Sequence, residues 1–328
     1  MKKKHIFVFI TVISAVLVTA IVLGVVLGRD GSSASGASAS IKNAADPYCI
    51  LLTGSDVAAG LCDVMMLVSF DPLNERVFVL QIPRDTYAEY TENSYKKLNG
   101  AKNALGSSKE LCAFLSDALG IAIDGYVSID LEAFCTVVDA VGGVEIELDE
   151  PMKYSDPYQD LYIDLPRGSH TLNGKQAQMF VRYRSGYATG DLGRIDAQKK
   201  FLAAFFVALK ERITVENVYE VASSVADKID TNVDIPIMIA LGLEALKVNE
   251  RDLLFCTLPG EAVTGKKSGA SYYVMTLGST EKILCEYFCK TREKTDPDRL
   301  FEHPDNEDFI KIYRSEREGR VINAAQLK

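Results

Sequence analysis

The chain has 328 residues, a formal net charge of −9 and a pI near 5.1. This acidic balance argues against nucleic acid as a partner, because proteins that bind phosphate backbones usually carry a basic face. An anion site in this chain must therefore be a local concentration of arginine.

The N-terminus has the pattern of a membrane anchor. The start, MKKKH, is basic, and residues 6–28 carry no charged side chain. As a helix this run spans about 34 Å, enough to cross a bilayer core of about 30 Å. The lysines predict that residues 1–5 stay in the cytoplasm and that the remainder lies outside the cell. The length favours an uncleaved anchor over a signal peptide, although residues 37–39 form an A-x-A-like cleavage site.

Beyond the anchor, residues 29–45 are rich in Ser, Gly and Ala and predict a flexible linker. Residues 46–290 suffice for one folded domain. The seven cysteines contain no CxxC pair, so metal-finger spacing is absent. Cys285 and Cys289 are one helical turn apart and are a candidate disulfide.

The first half of the domain alternates apolar runs with turns. Apolar runs predict strands at residues 48–54, 63–70, 76–82, 126–129 and 144–148, the second and third forming a hairpin. Capping signals at Ser107 and Asp130 predict helices that end near Leu119 and Ala140. Residues 149–167 are polar and contain three prolines, which predicts a mobile lip.

The second half predicts longer helices. Residues 177–183 have strand character, which would place Arg182 and Arg184 on one face. Further elements are predicted as helices at 196–213 and 234–247, and as strands at 253–258 and 272–275 with a loop between them. The charge-rich residues 291–328 predict a loosely ordered tail. Together these patterns predict a mixed α/β fold, with a central mixed β-sheet flanked by α-helices.

Few motifs carry chemistry. P-loop, GxSxG, GxGxxG and HExxH patterns are absent, and the three histidines are scattered. Arginine is concentrated in residues 181–198, VRYRSGYATGDLGRIDAQ. Guanidiniums that lie close together repel each other and favour a shared anion such as phosphate. On spacing alone, solvated surface arginines are the alternative.

Eight motifs occur in a fixed order: LLTGSD, DxMMLVSF, IPRDTY, KLNGA, VDAVGGV, LNGxQA, VRYR and GDxGRI. In this order, over roughly residues 48–212, the chain resembles the LytR-CpsA-Psr family. The resemblance implies a membrane-anchored, extracytoplasmic phosphotransferase that moves a glycopolymer from undecaprenyl pyrophosphate onto peptidoglycan. It also implies a hydrophobic channel for the lipid tail. Residues 111–119, 134–140 and 201–209 are candidates to line it, with ordinary core packing as the alternative.

The resemblance also implies site residues. Asp56 and Asp63 would hold Mg²⁺. Alternatively, Asp56 is a turn residue and Asp63 caps the start of a strand. Arg84 would bind phosphate, or pair with Asp85. A larger group would contact the pyrophosphate or orient its ligands: Asn99, Arg182, Arg184, Asp191, Arg194 and Gln198. Asn99 is alternatively a turn residue and Gln198 a helix cap. Asp63 is also the candidate base.

Two departures from the family pattern matter for the site. The family usually has Arg-Ser before the residue matching Asp63, where this chain has Leu61 and Cys62. It usually has Arg before the residue matching Gln198, where this chain has Ala197. Two other functions therefore stay open: hydrolysis of the same lipid pyrophosphate, and a non-catalytic lipid-pyrophosphate sensor that attenuates envelope gene expression.

Overall fold

The computed structural model describes residues 47–56, 61–90, 96–157, 161–212, 229–266, 268–288 and 307–327. The predicted anchor at 6–28 and the linker at 29–45 lie outside these ranges. Within them, no helix combines the length and the apolar character required to cross a membrane.

The strands of the described residues include seven that the sequence predicts. In chain order the strands are β1 (Tyr48–Asp56), β2 (Leu61–Asp71), β3 (Arg76–Ile82), β4 (Gly125–Ile129), β5 (Val144–Leu148), β6 (Met152–Asp156), β7 (Leu161–Leu165), β8 (Gly168–Leu172), β9 (Ile229–Thr231), β10 (Leu253–Thr257), β11 (Gly260–Thr264), β12 (Ser271–Met275) and β13 (Ile322–Asn323).

The helices connect these strands. In chain order they are α1 (Ala101–Leu105), α2 (Ser108–Leu119), α3 (Leu131–Ala140), α4 (Gly174–Arg182), α5 (Asp191–Arg212), α6 (Ile235–Ala245), α7 (Leu277–Tyr287) and α8 (Glu307–Tyr313). Ser107 and Asp130 accept hydrogen bonds from the backbones of Glu110 and Ala133, which confirms both predicted N-caps.

Seven strands form one mixed sheet in the order β13-β10-β3-β2-β1-β4-β9. Strand β2 is antiparallel to both β1 and β3, β4 is parallel to β1, and β10 is parallel to β3. Strands β1, β3, β4 and β10 therefore run in one direction. Their carboxyl ends meet at one edge of the sheet, where ligands of open α/β sheets usually bind.

Both faces of the sheet are buried. Ile50 and Leu52 of β1 point into one core, together with the apolar sides of α3, α4, α5 and α6. Cys49 and Leu51 point into the second core, together with α2, α7 and α8. This two-faced burial explains why the central strands read as continuous apolar runs without alternation.

Three predicted segments differ from the structure. Residues 149–167 contain the hairpin β6–β7, in which Met152 and Leu165 pair and are both buried. The segment between β10 and β12 contains β11, which pairs with β12. The tail is not loose over residues 307–327, because β13 pairs with β10 and Phe309 of α8 is fully buried.

The strand predicted at residues 177–183 is also wrong. Asn173 and Gln176 form a capping box that starts α4, and Ala177 and Phe180 are buried at helical spacing. The β-propensity of the Phe180–Tyr183 run is overridden by this cap and by packing on α3. Arg182 is consequently the last helical residue, and Arg184 lies beyond it in a loop.

Candidate anion-binding site

The turn after β3 carries Arg84 and is held by backbone hydrogen bonds. Thr86 N donates to Pro83 O at 3.0 Å, and Asn99 N donates to Arg84 O at 3.0 Å. Pro83 ends the strand because it has no N–H to continue the ladder. The turn therefore fixes the backbone of Arg84 at the carboxyl end of β3.

Asp63 lies opposite this turn, at an irregularity in the pairing of β1 with β2. Gly54 pairs with Val64 and Ser55 pairs with Cys62, so Asp63 is the additional residue of a β-bulge. Its carboxylate is fully buried and accepts a hydrogen bond from Arg84 Nη1 at 2.9 Å. Asp63 is therefore not only a strand cap, because its carboxylate is paired with Arg84.

Asp191, the first residue of α5, lies close to three arginines: Arg84, Arg184 and Arg194. Its carboxylate lies 2.7 Å from Arg194 Nη2, 3.7 Å from Arg84 Nη2 and 3.8 Å from Arg184 Nη1. Three guanidiniums thus share two carboxylates, those of Asp63 and Asp191. That Asp191 orients these arginines for a ligand stays a prediction.

Two glycines let α5 begin at this point, five residues earlier than the sequence predicted. Gly190 adopts φ +58°, in the left-handed region that L side chains rarely adopt. A Cβ at Gly193 would lie 2.5 Å from Cβ of Tyr187, so only glycine allows this close packing of the loop on the helix. The GDxGRI motif therefore positions Asp191 and Arg194 through its glycines.

Arg194 is the most deeply buried of the three arginines, at 1% exposure. Burial lowers the pKa of its guanidinium to about 9, and the neighbouring charges of Arg84 and Arg184 act in the same direction. Asp191 and Asp63 oppose this shift. For Arg84, burial also acts to lower the pKa, but Asp63 and Asp191 outweigh it and raise the pKa. The arginines and carboxylates of the cluster therefore influence one another's protonation.

Gln198 connects the arginine cluster to the sheet. It is buried one turn beyond Arg194, and its side-chain oxygen accepts a hydrogen bond from Gln81 of β3. Its Nε2 donates to Val181 O at 3.5 Å, next to the buried Arg182 at the end of α4. Because Gln198 lies inside α5, it is not a helix cap. A direct contact of Gln198 or Arg182 with phosphate remains a prediction.

The sequence left open an ion pair between Arg84 and Asp85, but Asp85 has a different partner. Its carboxylate pairs with Lys97 Nζ at 2.9 Å, whereas the close ion pair of Arg84 is formed with Asp63. Asn99 is buried in a short 3₁₀ turn that leads into α1. The KLNGA motif is therefore held against the Arg84 turn from both sides.

Sequence reasoning missed Gln81, Lys102 and Lys199. Lys102 Nζ donates to Ser128 Oγ at 2.9 Å near the carboxyl end of β4, and Lys199 is a buried lysine paired with Asp196 at 3.0 Å. The signal for Gln81 was present, since it is a polar residue inside the apolar run RVFVLQI. No sequence signal marked Lys102 or Lys199, because the local sequence of each resembles that of an ordinary surface lysine.

The proposed Mg²⁺ ligands lie on adjacent strands. The backbone of Asp56 at the end of β1 pairs with Leu61, two residues before Asp63. Carboxylate oxygens beside a phosphate site suit Mg²⁺, which typically takes one or two carboxylates and completes its shell with phosphates and water. The side chain of Asp56 lies outside the described residues. In the described part of the chain, no group of three or more His, Cys, Asp or Glu side chains could hold a metal ion.

The three apolar helices proposed to line one lipid channel do not share a face. Leu111 and Leu115 of α2 belong to the second core, whereas Phe134 of α3 and Phe201 of α5 belong to the first. The sheet separates them, so a single channel lined by all three is wrong. The Phe134 and Phe201 rings pack 5.5 Å apart, and a channel between α3 and α5 stays a prediction.

The order of motifs around this cluster corresponds to a known family. A model of the LytR_cpsA_psr family matches residues 27–287. The chain belongs to this family. A relative from Bacillus subtilis, named polyisoprenyl-teichoic acid–peptidoglycan teichoic acid transferase TagV, is 31% identical over 206 residues, covering 60% of this chain and 52% of TagV. Biofilm regulatory protein A of Streptococcus mutans is 26% identical over 246 residues, and this match covers 70% of this chain and 60% of the relative.

Solved structures share this fold. The crystal structure of Bacillus subtilis TagV matches with a TM-score of 0.63 and 25% identity, over 74% of this chain and 96% of that one. A Streptococcus agalactiae protein matches with a TM-score of 0.68 and 23% identity, over 83% of this chain and 96% of that one. The chain spans only about half to three fifths of the length of the two relatives matched by sequence. Residues 307–327 lie beyond the family match.

Proposed function

We propose that the protein transfers a glycopolymer from a polyprenyl-pyrophosphate carrier to a hydroxyl group of peptidoglycan. The observation that carries this proposal is the convergence of Arg84, Arg184 and Arg194 on the carboxylates of Asp63 and Asp191 at the carboxyl end of the sheet. A cluster of three guanidiniums, one of them buried, is suited to an anion that arrives with its substrate. The similarity to TagV, which is named a teichoic acid transferase, supports this choice of substrate class.

The proposed reaction is a phosphoryl transfer. The oxygen of the acceptor hydroxyl attacks the phosphorus that bears the glycopolymer, and the bond from that phosphorus to the polyprenyl-phosphate oxygen breaks. The electron pair leaves with polyprenyl phosphate, which also takes up the hydroxyl proton. Arginines that are already in position stabilise the negative charge that develops on the phosphate oxygens in the transition state. One such contact can lower the activation free energy by about 3 kcal/mol.

The proposal assigns the residues by their position. Arg84 and Arg194 would contact the pyrophosphate from the sheet and from α5, and the half-exposed Arg184 would cover it from the loop. Arg182, Asn99 and Gln198 are proposed as supporting contacts. Asp191 would hold the arginines in position. Asp56 and Asp63 would hold Mg²⁺, which when bound would neutralise part of the phosphate charge.

We also propose that residues 6–28 anchor the chain in the cell membrane with the folded domain outside. The basic start and the uncharged run support this orientation. Protease added to intact protoplasts should digest the domain while leaving a cytoplasmic marker protein intact. Protection of the domain until the cells are lysed would contradict the proposed location.

The function is tested with the full chain in detergent, a synthetic polyprenyl-pyrophosphoryl oligosaccharide and soluble peptidoglycan strands, with and without Mg²⁺. The expected products are polyprenyl phosphate and a saccharide joined to the strand by a phosphodiester. Polyprenyl phosphate with free saccharide phosphate, in the presence of acceptor, would instead indicate a hydrolase. Tight lipid binding without turnover would indicate a sensor. An Asp56→Asn variant that keeps the wild-type response to Mg²⁺ would contradict the metal assignment.

A further inference from the structure

A groove lies beside the arginine cluster, on the other side of α5. It has a volume of about 430 Å³, within the range of roughly 300 to 1,000 Å³ typical of ligand sites. Its walls are the first turns of α5 with Asp196 and Lys199, the turn Leu258–Gly260 after β10, and the segment Arg317–Arg320. We call it the C-terminal groove.

The groove and the arginine cluster share their supporting elements. Helix α5 presents Arg194 and Gln198 to the cluster, whereas Asp196 and Lys199 line the groove. On the opposite wall, Tyr273 N donates to Asp85 O at 2.8 Å, directly after Arg84. The groove and the cluster therefore lie on opposite sides of α5 and share the segment that follows β3.

The C-terminal wall of the groove is fixed to the domain. Strand β13 extends the main sheet, and Ala324 N donates to Glu250 O at 3.0 Å. Gly319 is packed so closely that a Cβ would lie 2.9 Å from Pro259 and 3.0 Å from Cys256 Sγ. This wall lies beyond the family match, which ends at residue 287.

The lining of the groove suits a ligand with many hydroxyl groups. Cations (Lys199, Arg317 and Arg320) alternate with the carboxylates of Asp196 and Glu318. A hydroxyl both donates and accepts hydrogen bonds, so it can pair with either sign. A strongly anionic or strongly cationic ligand would be repelled by one half of the lining.

We infer that the C-terminal groove binds the acceptor glycan and directs one of its hydroxyls toward the arginine cluster. This inference rests on the proposed function, because it assigns the acceptor side of the same reaction. The buried Lys199, 5% exposed and paired with the exposed carboxylate of Asp196, forms the floor of the groove. Arg320 contacts the glycan from the C-terminal wall.

The direct test uses fluorescence, because the chain contains no tryptophan. A Glu318→Trp substitution places a single reporter on the groove wall, and Arg314→Trp places one on the same exposed segment outside the groove. Titration of the full chain in detergent with soluble strands of alternating N-acetylglucosamine and N-acetylmuramic acid should give a saturable change only for the first. Adding Arg320→Glu to the Glu318→Trp chain should weaken binding by about tenfold, since a charge-assisted contact is lost.

The results separate the inference from the proposed function. A flat titration at Glu318→Trp, or equal responses at both reporters, would overturn the groove as a glycan site even if the enzyme transfers glycopolymer. In the transfer assay, Arg320→Glu should raise the acceptor KM about tenfold while the KM for the lipid donor is unchanged. An equal KM for acceptor in the Arg320→Glu and Arg314→Ala enzymes would also overturn it. Absence of any transfer by the wild type would refute the proposed function, and the fluorescence result would stand alone.

Discussion

The guanidinium of Arg84 donates from Nη1 to Asp63 Oδ1 across 2.9 Å, and this hydrogen bond joins the turn after β3 to the bulge at the start of β2. Arg84 also lies 3.7 Å from Asp191 at the first turn of α5. One arginine therefore connects two strands of the sheet to the helix that carries Arg194. The anion site and the stability of this edge of the sheet depend on the same contacts.

Replacing Asp63 with Asn should destabilise the protein by about 3 kcal/mol, because the variant leaves buried arginine charge with one carboxylate fewer. The free energy of unfolding in urea measures this loss. Asp164→Asn is the matched control: Asp164 is 79% exposed and pairs with Lys153, so the control should change stability by less than about 0.5 kcal/mol. Equal losses in both variants would mean that the Arg84–Asp63 pair contributes no more than a surface pair.

Anion affinity should fall as the pH rises above about 9. Burial lowers the pKa of Arg194 from its ordinary value to about 9, so the guanidinium is charged in both the folded and the unfolded state below that pH. Above it the folded state loses the proton first. The unfolded state then binds more protons, so the contribution of Arg194 to stability increases with pH while its attraction for an anion decreases.

Calorimetric titration with sulfate, whose charge is constant over this range, separates these effects. Wild-type affinity should be flat between pH 7 and 8 and should decrease beyond about 9, as the lowered pKa of Arg194 requires. The Arg194→Met variant should bind weakly and show no such decline. A wild-type affinity that is independent of pH up to 11 would contradict the assignment.

Asp191→Asn should make the protein depend on an added anion for stability. Without this carboxylate, Arg84, Arg184 and Arg194 lose the group that offsets their mutual repulsion. Inorganic pyrophosphate can take its place, so it should raise the Tm of the variant more than that of the wild type. Equal shifts would show that the carboxylate and the anion do not act on the same arginines.

Gly174→Ala should destabilise the fold through α4, which carries Arg182. A Cβ at Gly174 would lie 2.3 Å from the backbone oxygen of Cys135, a contact that forces α4 away from α3. A cost of about 2 to 3 kcal/mol is expected for such overpacking. Gly278→Ala near the start of α7 has nothing within 4 Å and serves as the control. Its free energy of unfolding should be unchanged or higher.

Local signals in the sequence predicted much of the fold correctly. The caps at Ser107 and Asp130 and the apolar runs of β1, β2 and β3 depend on neighbours in the chain, and the structure confirms them. The run at 177–183 was misread because β-branched and aromatic residues also fill a buried helix face. There the cap at Asn173, rather than propensity, decides the conformation.

The candidate site was predictable as a set of residues but not as a geometry. The motif order identified Arg84, Asp63, Asp191 and Arg194, yet the pairing of Arg84 with Asp63 and not with Asp85 depends on a β-bulge. The docking of residues 307–327 was missed for a similar reason. A two-residue strand such as β13 has too little pattern of its own, and only the exposed edge of β10 makes it a strand.

The most direct test of the arginine site is the rate of glycopolymer transfer by Arg184→Ala. The side chain of Arg184 is 41% exposed, so its removal should leave the fold intact while removing one positioned cation. We expect a rate lower by about 100-fold or more at saturating donor and acceptor. The control is Arg167→Ala, which replaces an exposed arginine on the β7–β8 turn and should stay close to wild type. A rate for Arg184→Ala equal to that of Arg167→Ala would contradict a catalytic role for the arginine cluster.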